Sequence, residues 1–181
     1  AARRVGDLLT LAGQLDEAAK ALEDAHRLAS GSDDPVVKVE VEALLAELHY
    51  QRASYEQAYL WAEHALDAAQ LHDALALELH ARNTLGKLAV AQKDADTAVR
   101  LFEENRSKAA SADLGHQQAQ ALTNLGVAML RKQDLTAAQD AFARAIDVAT
   151  EANDTRDRAI ATENLAVLAH LRRDYAEALR H

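Results

Sequence analysis

Histidines and paired carboxylates are the side chains of this chain best suited to proton transfer or metal binding, and their spacing argues against both. The eight histidines are dispersed. None forms HExxH or another helical pair that would set two zinc ligands on one face. His26, His64, His72 and His116 read as surface residues without a ligand role. Glu103-Glu104 reads as a solvated face, and Asp33-Asp34 as a helix-capping run. There is no Gly-rich phosphate loop, no GxSxG and no cysteine for a Cys-His set. The expectation is therefore no catalytic residue, no metal and no cofactor: not an enzyme. One polar pattern does recur. Asn124 and Asn164 are 40 residues apart, with Asn83 one residue off that register. A row of amides offers both donors and acceptors to a bound main chain.

That register belongs to the whole chain. Ala18, Ala58, Ala98, Ala138 and Ala178 follow one another at steps of 40, each in a phrase such as Asp134-Leu135-Thr136-Ala137-Ala138. A period of this size signals a solenoid or array of one repeated motif. The units run about 1–32, 33–72, 73–112, 113–152 and 153–181, forming one solenoid domain. Each holds two helical patterns. In the fourth, Ala121, Leu122, Leu125, Ala128 and Met129 recur at helical spacing, and Leu135, Ala138, Ala141, Phe142, Ala145 and Ile146 do so after a break at 132–134. The predicted helices are 3–12, 15–30, 35–51, 55–70, 73–91, 95–110, 114–131, 135–151, 155–171 and 175 onward.

Start signals sit at the same period. Gln14, Ser54, Asp94, Asp134 and Asp174 precede the second helices, and Asp33, Asp73, Asp113 and Asn153 the first, where side-chain oxygens cap free N–H groups. Gly6, Ala46, Gly86, Gly126 and Ala166 share one position of the first helices. Glycine there costs about 1 kcal/mol relative to alanine, so a close helix crossing must compensate for it. The third unit departs from the pattern, with Ala95 in place of leucine or tyrosine and Asn105-Arg106 where the fourth has Ala145-Ile146. Its second helix is expected to pack most loosely or to put those polar groups to use.

Composition narrows the partner class. The net charge is −9, with basic residues scattered among more numerous acids. Nucleic acid calls for clustered Lys and Arg, so it is not expected as a direct partner. No apolar run reaches the roughly 18 residues of a membrane helix. The absence of cysteine fits a reducing cytoplasm, and the abundance of Arg over Lys, with much Ala and Asp, points toward a bacterial source.

The run Asn124-Leu125-Gly126, Asp134-Leu135, Ala138, Phe142 and Ala145 resembles the tetratricopeptide repeat (TPR). Leu85-Gly86, Asp94, Ala98 and Phe102 repeat the match in the third unit, and Leu45-Ala46, Tyr55, Ala58 and Ala65 in the second. The 40-residue period is similar to the long-unit subclass of kinesin light chains, Pins-type polarity adaptors and MalT-like or Rap-like bacterial regulators. The resemblance implies an all-α solenoid of αα-hairpins, a right-handed superhelix with four full helix pairs and a truncated fifth. It further implies a concave groove lined by the first helices, holding a peptide or helix of a protein partner.

The groove candidates are Asn83, Thr84, Lys87, Val90, Asn124, Val127, Leu130, Arg131, Asn164, Val167 and Leu171, with Arg3, Arg4 and Asp7 in the first unit. The asparagines would hold backbone. Val90, Val127, Leu130, Val167 and Leu171 would form an apolar strip suited to an amphipathic helix. The terminal-carboxylate clamp of chaperone-tail binders is not expected, because Ala43, Asn83, Thr123 and Glu163 stand where its lysine belongs. Two alternatives accompany the adaptor reading: a sensory arm of a larger bacterial regulator, and self-association through open solenoid ends. The chain starts and stops inside helical patterns, as expected of a fragment of a longer protein or of an end that pairs with another copy.

Overall fold

A computed structural model describes residues 15–31 and 34–178, with side chains through Arg172. The expected helix 3–12, with Gly6, Arg3, Arg4 and Asp7, lies outside the described residues, as do Gln14 and Asp33. Among the described residues the fold is all-helical: α1 (Leu15–Ala29), α2 (Pro35–Gln51), α3 (Tyr55–Leu71), α4 (Leu75–Ala91), α5 (Ala95–Ser111), α6 (Gly115–Arg131), α7 (Leu135–Glu151) and α8 (Thr155–Ala178). It is a TPR-like helical-repeat solenoid of antiparallel hairpins. The chain forms two compact units, Ala1–Leu88 and Ala89–His181.

Among the described residues one turn geometry is used six times. Ala53, Asp73, Lys93, Asp113, Gln133 and Asn153 all have φ between 53° and 66°. The residue after each returns its N–H to a carbonyl five positions back, as in Ser54 to His49 (2.9 Å), Leu114 to Ala109 (2.9 Å) and Asp154 to Ala149 (2.8 Å). This is the left-handed helix stop, which satisfies orphan carbonyls of the last turn. Asp73, Asp113 and Asn153, expected as helix starts, are instead the left-handed residues of these turns. Asp and Asn tolerate that conformation better than most, so the first helices begin two residues later. Asp94 and Asp134 cap the second helices as expected, accepting from the Thr97 (3.1 Å) and Ala137 (2.9 Å) N–H groups, and Asp34 accepts from the Val36 N–H (3.0 Å). Ser54 makes no side-chain cap despite its capping-box spacing.

In the unit Ala1–Leu88, α2 packs on both α1 and α3. Ala18, Leu22 and Ala25 of α1 are buried against Val41, Leu45 and Leu48 of α2, with Trp61 of α3 packed at their edge. Ala43, Ala65 and Ala81 form a second buried contact at the next level. Alanine carries these crossings because a methyl group keeps the helix axes close while favouring the helix itself.

In the unit Ala89–His181, α6 packs on α5, α7 and α8, and α7 on α8. Phe102 and Phe142 are the bulky occupants, 1% and 0% exposed. Phe102 joins Ala98, Leu125, Ala128 and Ala141, while Phe142 joins Ala138 and Leu168. Gly126 is the close crossing expected of it: a Cβ there would lie 2.6 and 2.8 Å from Phe142 Cδ1 and Cζ, and nearer still to Cε1. The loose packing expected of α5 is not seen. It buries Ala98, Phe102, Asn105 and Ala109, so Asn105 is used inside the fold, and Arg106 pairs with Glu103 at 2.7 Å.

The expected break before Tyr175 is absent, and α8 runs unbroken through Asp174 to Ala178. A second helix folds back when it can bury an alanine–aromatic stripe such as Ala138 and Phe142. No described helix returns over Ala166, which is exposed although Gly126 in the same register is buried.

Candidate functional site

In the unit Ala1–Leu88 the expected groove residues are largely occupied. Asn83 and Thr84 are buried, 5% and 0% exposed, which corrects their assignment to an open surface. Asn83 shares the register of Ala43 and Thr123, both buried. Being one residue off the Asn124 register turns it about 100° toward the interior. The Thr84 hydroxyl lies 3.4 Å from Glu47 Oε2 and from the His80 carbonyl. Lys87 donates to Glu47, 40 positions earlier on α2, and its Nζ sits 4.8 Å from the Tyr50 ring centroid.

Burial pushes the Glu47 carboxyl up, but attraction to Lys87, its hydrogen bond and that of Gln51 outweigh this and hold it below the ordinary glutamate range. A depressed carboxyl stabilises the fold above its unfolded value and loses that contribution as pH falls through its folded value. Acid unfolding should therefore begin below about pH 4.3, and Glu47→Gln should flatten the stability profile there. Thermal melts from pH 6 to pH 3 that superimpose for wild type and variant would rule out this role.

His26, half-buried, and His64, exposed as expected, both approach a buried acid. Glu42 is 1% exposed and lies 3.1 Å from His26 Nε2, 3.3 Å from His64 Nδ1 and 3.6 Å from Lys38 Nζ. His26 also meets Trp61 edge-on at 5.0 Å. The 16- and 22-residue separations from Glu42 follow no single-helix period, so only hairpin packing assembles this group.

In the unit Ala89–His181, Val127, Leu130 and Arg131 of α6 and Asn164 and Leu171 of α8 line one depression, completed by Gln133 and Leu135. Its volume is about 520 Å³. Val127 and Leu130 are half-buried against the Phe142 cluster, whereas Val167 and Leu171 are 51% and 37% exposed. Val90 is half-buried against the Phe102 cluster. Asn124 is half-buried, and the Asn164 amide donates to the Ile160 carbonyl at 2.9 Å, leaving its side-chain oxygen as an acceptor. At the depression's edge Arg172 donates to the Leu135 carbonyl (3.0 Å) and to Gln139.

The same unit holds one more polar group that sequence spacing did not reveal. His116, the second residue of α6, points its Nδ1 at Asp154 Oδ2 (2.8 Å) and Asp157 Oδ2 (2.7 Å). Asp154 precedes α8, and its other oxygen accepts the Asp157 N–H at 2.9 Å, which holds that carboxyl low. Asp157 is 4% exposed, and burial raises its carboxyl. Gly115 makes the approach possible, since a Cβ there would lie 2.8 Å from that of Ala152 in the facing turn. Among the described residues no helix is long and apolar enough to cross a membrane.

No family model matches the chain. No curated protein matches it either. Solved structures do. A Rap protein complexed with Competence and Sporulation Factor superposes with a TM-score of 0.88 at 16% identity, over 99% of this chain and 50% of its own. The apo form of RapI gives 0.77 at 14%, over 98% and 65%. A putative kinesin light chain from Podosopora anserina with nearly identical TPR-like repeats gives 0.69 at 15%, over 99% and 89%. The chain thus spans half to two-thirds of the two Rap structures. At these identities the likeness establishes the TPR-like fold.

Proposed function

We propose that this chain is a non-catalytic interaction module, and that its unit Ala89–His181 binds a peptide or helix of a protein partner in the depression between α6 and α8. The observation that carries the reading is the convergence of Val127, Leu130, Arg131, Asn164 and Leu171 on one surface with an apolar floor and a polar rim. Val167, exposed on the same helix, extends the apolar side. An amphipathic partner would set its apolar residues on Val127, Leu130 and Leu171 and meet Asn164 and Arg131 with polar groups. Asn124 is the further polar contact of α6. A Rap protein of the same fold is complexed with Competence and Sporulation Factor, which supports a binding role for this chain.

Selection from a displayed peptide library tests the proposal. Peptides captured by the wild-type chain should lose at least about tenfold in affinity, roughly 1.4 kcal/mol, for Val167→Glu/Leu171→Glu, with helical content retained. Captured peptides that bind the variant equally well would exclude this surface. A second reading, the sensory arm of a larger regulator, is supported by the likeness in fold to a STAND protein with a tetratricopeptide repeat sensor from Pyrococcus horikoshii. It predicts that peptide occupancy alters the output of an adjoining domain in the full-length protein.

A further inference from the structure

We propose that His116, Asp154 and Asp157 form a binding site for a divalent transition-metal ion of the zinc class, separate from the peptide surface. Three potential ligand atoms, one nitrogen and two oxygens, lie within 4.8 Å of one another. They come from the start of α6 and from the turn and first helical turn of α8. Such a mixed imidazole–carboxylate set suits Zn²⁺.

The independent observation is Asp157. Its side chain is 4% exposed, and its Oδ2 has no hydrogen-bond partner although His116 Nδ1 is 2.7 Å away. The reason is a shortage of protons. A neutral imidazole carries a single N–H, and even when both nitrogens are protonated Nδ1 has only one hydrogen. Asp154 Oδ2 lies 2.8 Å from the same Nδ1, so two carboxylates compete for that one hydrogen. A buried carboxylate oxygen left unpaired is costly, and a divalent cation among the three atoms would satisfy all of them at once. Deprotonated Nδ1 and both Oδ2 atoms would then face the ion. Ligand bonds of about 2.1 Å in tetrahedral geometry require ligand–ligand separations of about 3.4 Å, so the two His116 contacts, at 2.8 and 2.7 Å, need to open by about 0.6–0.7 Å.

Two further features suit a built site. The Asp154 carboxylate is oriented by the Asp157 N–H on its far oxygen, the kind of outer-shell hydrogen bond that fixes a metal ligand. The site also borders an open depression of about 510 Å³ lined by Gln117, Glu151 and Ala152 among others. Three protein ligands beside open space leave a fourth position for water or for a group from a partner.

Calorimetric titration of the chain with Zn²⁺ alone at pH 7 tests the site, with visible absorption of the Co²⁺-loaded chain as a second readout. One ion per chain is expected, in the micromolar range or tighter. His116→Ala and Asp157→Asn should each weaken binding at least about tenfold, and Asp154→Asn should do the same while keeping the helix cap. His26→Ala, at the Glu42 cluster, should leave the affinity unchanged. Absence of Zn²⁺ binding by the wild type overturns the proposal, as does undiminished affinity in His116→Ala. A loss confined to His26→Ala would assign the ion to the Glu42 cluster instead and overturn it equally.

Discussion

Phe142→Ala is expected to lower the unfolding free energy by about 3–5 kcal/mol, the largest single loss in the unit Ala89–His181. The ring is fully buried on Ala138 and Leu168, with Val127, Leu130 and Leu135 packed around it. Its removal takes away apolar contact and leaves a hole that three helices cannot close together, because the α6–α7 distance is already set by the glycine facing the ring. The same ring floors the proposed peptide surface, so Val127 and Leu130 would lose their support. Urea unfolding followed by circular dichroism measures the loss, read on the transition of this unit because stacked repeats need not unfold all together. A change under about 1 kcal/mol would mean that α6 and α7 are held by something other than this ring.

Gly126→Ala is expected to destabilise by about 1–3 kcal/mol, although alanine is the better helix former by about 1 kcal/mol. The two effects oppose each other, and geometry decides between them. The added methyl would stand 2.6–2.8 Å from two ring carbons of Phe142 and closer to a third. A ring enclosed on all sides has nowhere to move. The clash disappears when the ring does, which makes the prediction a cycle. Placed in the Phe142→Ala background, Gly126→Ala should become neutral or stabilising, so the double variant is more stable than the sum of the singles by at least about 1 kcal/mol. Strict additivity would place the cost of the methyl elsewhere.

Much of the fold was legible because the repeat states it several times. The alanine register, the break residues and the small crossing positions each recur at 40, and the helices α1 to α7 follow that pattern. Readings that depended on a local preference fared worse. Asp73, Asp113 and Asn153 carry cap-like side chains, but they serve as left-handed turn residues, since the same residue types suit both roles. Asp174 carries the same signal as Asp134, yet the helix runs on through it: a cap-type side chain permits a helix start without imposing one. Asn83 looked like part of an amide ladder, and a one-residue offset turned it inward.

The linear sequence by itself determined the period, the helix pairs, the close crossing at Gly126 and five of the residues that line the α6–α8 depression. Those features are repetitive or local, so helical spacing alone exposes them. Only the tertiary structure decided which charged groups meet. Glu42 with His26 and His64, Glu47 with Lys87, and His116 with Asp154 and Asp157 are 16 to 41 positions apart, on different helices or the turns between them. Glu47 and Lys87 share one place in successive repeats, but neither period nor spacing marks the pair as an ion pair; packing of neighbouring helices brings each of these groups together. His26, His64 and His116, which showed no ligand spacing along the chain, meet carboxylates across it.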